Sequence, residues 1–196
     1  MKVVILDNKY SKILKAVSSD EFNNIVKIKF SNIDVGFNNF TNGILENNRE
    51  FQSKENIEKN FIRFIEEACI LNDCDKVIID FYLNKLNEEE IKNLYSLLEE
   101  GDKEILKDQI DFMDKKNIYF QLDYNLIPFI VKLNTRELFF STIYFTKFPC
   151  TLWGNYNMKF PIFFDNMKFI DLYKDLAEKN NLNINCINLK NKKGQL

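Results

Sequence analysis

The sequence predicts an α/β or α+β fold: a mixed sheet, parallel and βαβ-like in its first half, antiparallel and aromatic-rich in its second, with helices packed on it. Three observations carry this. Short apolar runs alternate with 3.6-period stretches through residues 1–122, the pattern of strands joined by crossover helices. Residues 137–164 instead crowd aromatic and β-branched residues around a Gly-Asn-Tyr-Asn turn, which favours antiparallel hairpins. Finally, 196 residues with 45% hydrophobic and 29% charged side chains suffice for one core without a covalent staple.

Taken in order, residues 3–6 read as a buried strand and residues 9–17 as a helix. Residues 25–30 alternate, with Val26, Ile28 and Phe30 on one face and lysines on the other, which reads as a strand. Residues 31–52 are rich in Asn and read as an irregular connection with a short strand near residues 35–37. Ser53 caps an amphipathic helix through Ile57, Phe61, Phe64, Ile65 and Ala68. Residues 76–83 (KVIIDFYL) form the strongest strand, apolar enough to be covered on both faces. Asn87 and Glu90 form a capping box for the next helix, which Gly101 ends. A further helix runs to about residue 116, and residues 118–122 form the next strand. After Pro128 the strands are residues 137–145, 151–153 and 159–164, with a turn at 154–158. Asp165 caps a last amphipathic helix, and residues 185–189 return as a strand. The chain reads as one domain over 1–196, and its only candidate seam is residues 128–136.

Composition excludes several function classes. The chain has no histidine and five glycines. Histidine is the usual acid/base at neutral pH and the commonest metal ligand. Glycine supplies the backbone freedom of phosphate-cradling loops. Triads, mixed zinc sites, P-loops and dinucleotide folds therefore lack their parts. The net charge of −2 and the presence of only Arg49, Arg63 and Arg136 as arginines argue against nucleic acid. No run approaches the ~20 apolar residues that cross a bilayer. Cys69, Cys74, Cys150 and Cys186 include no Cys-x-x-Cys pair and read as buried, reduced thiols of a cytosolic protein. The skew toward Asn, Lys, Ile and Phe is what AT-rich codons produce.

Three groups of residues carry possible chemistry. Asp7, Asp80 and Asp123 lie at or near strand ends, where α/β sheets bind ligands, and three carboxylates there form an oxygen site for Mg²⁺. The weak point is Asp80, which is followed by Phe81 and Tyr82 and so lies inside its strand, away from that rim. The second group is the acidic run of residues 88–114, with Glu99 and Glu100 at its centre, either a solvated helix face or a patch for a basic partner. The third is the aromatic strip from Phe139 to Phe164, with Trp153 and Tyr156 at the turn as candidate contact residues. Consecutive strand residues face opposite ways, so Phe163 and Phe164 need both sheet faces covered or a partner on one. Lys132 and Arg136 read as ordinary surface.

By elimination, the expected function is a non-enzymatic cytosolic protein-binding module without cofactor. It would occupy a protein partner, as an antitoxin or immunity-type inhibitor of a bacterial or phage system does. The alternatives are a Mg²⁺-dependent enzyme on a phosphate-containing substrate, using the three aspartates, and a structural or assembly subunit.

Overall fold

A computed structural model describes residues 13–48 and 52–190. The expected strand at residues 3–6, and Asp7, lie outside them. Among the described residues eight strands form one sheet in the order β1-β4-β3-β5-β6-β7-β2-β8. They are β1 (Lys15–Val17), β2 (Thr41–Asn47), β3 (Val77–Asp80), β4 (Tyr119–Gln121), β5 (Ile143–Phe145), β6 (Cys150–Leu152), β7 (Phe160–Phe164) and β8 (Leu182–Asn188). Every adjacent pair is antiparallel. The α+β class thus holds, and the parallel first half is corrected. The reason lies between β3 and β4. One crossing helix returns a chain to the end it started from and makes the next strand parallel. Here two helices intervene, α4 (Glu88–Leu97) and α5 (Glu100–Phe112), broken at Leu98 and Glu99. The second helix undoes the first one's crossing, and β4 enters antiparallel to β3.

The remaining helices are α1 (Ser19–Ile25), α2 (Ile33–Asn39), α3 (Lys54–Leu71), α6 (Ile127–Thr135) and α7 (Lys168–Lys179). Of the helix expected over residues 9–17, residues 9–12 lie outside the described residues and Lys15–Val17 form β1 instead. The expected strand at 25–30 is an extended strap outside the sheet. Its alternation is real: Val26 and Ile28 are buried, and Thr151 Oγ1 on β6 donates to Ile28 O at 2.7 Å. Residues 33–39, read as a loop with a strand, form α2, capped by Asn32 through Val35 N. Gly36 lets α2 approach the sheet: a Cβ there would stand 2.7 Å from the Phe30 ring and 3.0 Å from that of Phe163. Ser53 does cap α3, and Asn87 with Glu90 does close a capping box on α4. Gly101 is corrected from a helix stop to the first turn of α5. Asp165 is not the cap of α7: Met167 holds that position, and Asn166 Oδ1 accepts from Lys168 N.

Two cores result. On one face α3, α6 and α7 bury Phe61, Phe64, Ile130 and Tyr173 against Ile79, Phe120, Phe145, Phe160 and Phe164. On the other, Phe22 of α1 and Val26 just after it pack on Ile78 and Tyr144, while Phe30 and Phe37 pack edge-on to Phe163. Both faces are covered, so Phe163 and Phe164 are each buried. Residues 128–135 fall on α6, which Arg136 caps and whose apolar side chains belong to the first core. Among the described residues no helix is long and apolar enough to cross a membrane.

Candidate functional site

Helical spacing places Lys132 and Arg136 on one face of α6. Opposite them stand Glu58, in the second turn of α3, and Glu99 and Asp102, at the start of α5. Arg136 binds Glu58 bidentately, Nε to Oε2 and Nη2 to Oε1, both at 2.8 Å. Its Nη1 donates to Glu99 Oε1 at 2.8 Å. Lys132 Nζ donates to Asp102 Oδ2 at 2.9 Å and to Glu99 Oε2 at 3.1 Å. Thr135 Oγ1 donates to Glu58 Oε2 at 2.9 Å. Glu58 and Asp102 are buried, and buried charge persists only when paired in this way. The Glu58 carboxylate, foremost, holds Arg136 further into its protonated form. Hydrogen bonds from Arg136, then Lys132, lower the pKa of Glu99. Burial opposes the charge on Lys132, but Asp102 and Glu99 outweigh it and raise its pKa.

Beside this network opens a cleft of about 650 Å³. Lys54 and Glu55 form its wall at the start of α3, and Glu137, Asn157 and Met158 form the opposite lip. It shares Thr135, Glu137, Asn157 and Met158 with a second depression of about 330 Å³, which extends to Glu46 and Lys159. Glu55, Glu58, Glu99 and Glu137 face Lys54 and Arg136 around the larger cleft, a net charge of −2.

The lip is built from unusual backbone. Glu137 N bonds Asn134 O at 3.2 Å and Leu138 N bonds Leu133 O at 3.0 Å. This is a Schellman ending for α6, whose left-handed position normally holds glycine. Here it holds Glu137, at φ 60. Its Oε1 accepts from Asn157 N at 2.8 Å. Asn157 and Met158 are themselves left-handed, at φ 57 and 52. Each such residue other than glycine costs on the order of 1 kcal/mol and persists only where its surroundings enforce it. Three of them converge on one lip. Gly154 lets the turn lie close to α6, since a Cβ there would collide with Asn134 Oδ1 and approach Ser141 O to 2.8 Å.

The structure separates Asp80 from Asp123; Asp7 lies outside the described residues. Asp80 is buried in β3, opposite Tyr119 of β4. It accepts hydrogen bonds from Thr142 N at 2.5 Å and Tyr144 Oη at 3.2 Å. Burial pushes its pKa up to about 6, against these donors. Asp123 lies beyond the far end of β4, where its Oδ1 accepts from Asn125 N. The two sit about four residues apart along antiparallel strands, roughly 13 Å. Among the described residues no cluster of three or more Cys, Asp or Glu is placed to hold a metal ion.

The contact residues fare differently. Tyr156 is 58% exposed and stands edge-on to Phe140 at 4.8 Å. Trp153 is half-buried and stacks on Phe30 at 5.3 Å. Glu99 belongs to the ion-pair network, whereas Glu100 is exposed and pairs only with Lys103 on its own helix. The turn and Glu99 are brought to one cleft. Sequence reasoning missed Glu58, Glu137 and Asn157, and it left Lys132 and Arg136 without a role. Their one local signal was the four-residue spacing of 132 and 136 on an otherwise apolar helix.

The fold and site define an α+β protein with an eight-stranded antiparallel sheet and a charged cleft at the end of α6. No protein-family model, curated protein or solved structure matches the chain.

Proposed function

We propose that this protein is a non-enzymatic binding module that captures a basic segment of a partner protein in the cleft between α3, α6 and the turn at Asn157. One observation carries the reading. Asn157 and Met158 of the turn and Glu99 at the start of α5, far apart in sequence, line one preformed cleft of net negative charge. Its size falls within the range of ~300–1,000 Å³ typical of ligand sites. Strained, cross-braced lips lower the ordering cost of binding. Tyr156, beside the lip, is an aromatic of the type that anchors interfaces. An inhibitor that acts by occupying its partner, as antitoxins and immunity proteins do, fits this arrangement.

The test is direct because Trp153 is the only tryptophan and adjoins the turn. A short lysine- and arginine-rich peptide is titrated against the protein and followed by Trp153 fluorescence, with a glutamate-rich peptide as control. The basic peptide is expected to bind and the acidic one not. Tyr156→Ala and Glu137→Gln should each weaken binding about tenfold, and added salt should weaken it further. Equal binding of both peptides, or indifference to both substitutions, overturns the proposal.

A further inference from the structure

The chain reverses sharply where α3 hands over to β3. Asn72 caps α3, its N–H bonded to Ala68 O at 3.0 Å and Cys69 O at 3.2 Å. Asp73 is left-handed at φ 57, and a 3-10 turn, Cys74–Lys76, follows. The reversal folds Cys74 back on the last turn of α3, where Cys69 sits. The two thiols interact directly with one another, and neither is in a disulfide. Cys69 is wholly buried in the main core, and Cys74 is half-buried at its edge.

The joint around the pair is braced from outside. Asn72 Nδ2 donates to Ala68 O and to Tyr173 Oη, both at 2.9 Å. Asn72 Oδ1 accepts from Phe148 N at 2.9 Å. Asp73 pairs with Lys147 at 2.8 Å and with Lys76 at 3.0 Å. These bonds fix the backbone between the two cysteines.

We propose that Cys69 and Cys74 are a modification site, a thiol pair that a low-molecular-weight disulfide converts to an intramolecular disulfide. Cys74, the accessible member, attacks first as its thiolate. It forms a mixed disulfide and displaces one reagent thiolate, which takes up a proton. Cys69, held against it, then loses its proton and attacks the Cys74 sulfur, displacing the second reagent thiol. Two protein thiols lose two electrons and two protons, and the reagent disulfide gains both as two thiols. Burial, foremost, pushes the Cys69 thiol pKa up, so ring closure is the slower step. Cys150 is buried and Cys186 exposed, so the first is shielded from the reagent and the second meets it alone.

The experiment uses the full chain with the exposed Cys186 changed to serine, incubated in native buffer with oxidised glutathione. Mass spectrometry is expected to show loss of two hydrogens, and peptide mapping a Cys69–Cys74 link reversed by dithiothreitol. Adding Cys69→Ser should stop the reaction at a mixed disulfide on Cys74, and adding Cys74→Ser should abolish it. A Cys186→Ser protein that keeps all its thiols overturns the proposal. So does one that stops at the mixed disulfide, or that cross-links only in denaturant.

Discussion

Asp80 shows how a single side chain is set by its surroundings. Its raised pKa, about 6 against an ordinary 3.8, means the folded state binds the proton more tightly than the unfolded one. Stability from this group is therefore greatest below about pH 4. It falls as pH rises toward 6 and is flat above, a loss of about 3 kcal/mol by linkage. Asp80→Asn keeps an acceptor for Thr142 N and carries no charge. It should unfold at a higher temperature than the parent at pH 7.5 and near the parent's temperature at pH 4, as calorimetry would show. A variant destabilised more at pH 7.5 than at pH 4 would mean the carboxylate is needed ionised. The two turn aromatics separate in the same way. Trp153 stacks on Phe30, so Trp153→Ala should cost stability, on the order of 2 kcal/mol for a half-buried ring. Tyr156 is mostly exposed, and Tyr156→Ala should leave the melting temperature within a degree or so of the parent's. Urea denaturation of both decides it, and equal losses would place Tyr156 in the core as well.

At the scale of elements, the Glu58–Arg136 pair ties α3 to α6 across 78 residues of sequence. Glu58 is nearly buried, its side chain only 10% exposed, so removing its partner leaves an uncompensated charge. Arg136→Met should destabilise by about 3–5 kcal/mol, and Glu58→Gln in the same chain should restore much of the loss. The check is a double-mutant cycle in urea, where additive losses would show the pair is uncoupled. Elements also differ in how far their sequences announce them. The caps Ser53 and Asn87, the apolar stripe of α3 and the turn between β6 and β7 were legible because each signal lies within a few residues. β2 was not. Its segment TNGILEN carries two asparagines and a glycine, residues that disfavour strands. It is a strand because β7 and β8 pair with both its edges. α1 and α2, of seven residues each, are too short to stand alone and form only against the sheet.

For the molecule as a whole, the sheet has unequal edges. β3, β5, β6 and β7 lie in its middle and are covered on both faces. β8 is an edge strand whose register with β2 shifts between Asn42 and Ile44. Cys186, expected as a buried thiol, is exposed there at φ 53, an irregularity of the kind that discourages edge pairing. Hydrogen exchange should be slowest at Ile79, Tyr144 and Thr151. It should be faster in α1, whose core is small, and fastest near Cys186. Uniform protection across the sheet would contradict this ordering.

Local chemistry in the sequence determined that strands and helices of these kinds form, where α3 and α4 begin, that the second half is antiparallel, and that histidine- and glycine-dependent catalysis lacks its parts. Strand direction in the first half was decided by tertiary structure: two helices were legible between β3 and β4, but their succession does not say how they pack, and the packing makes β4 antiparallel to β3. The cleft was decided there as well. Glu99 and the turn near Tyr156 were each visible alone, but their meeting was not. Arg136 finds Glu58 78 residues away, and Glu137 finds Asn157 at a distance of 20. Partners that far apart are selected by packing rather than by spacing, so no local pattern encodes them.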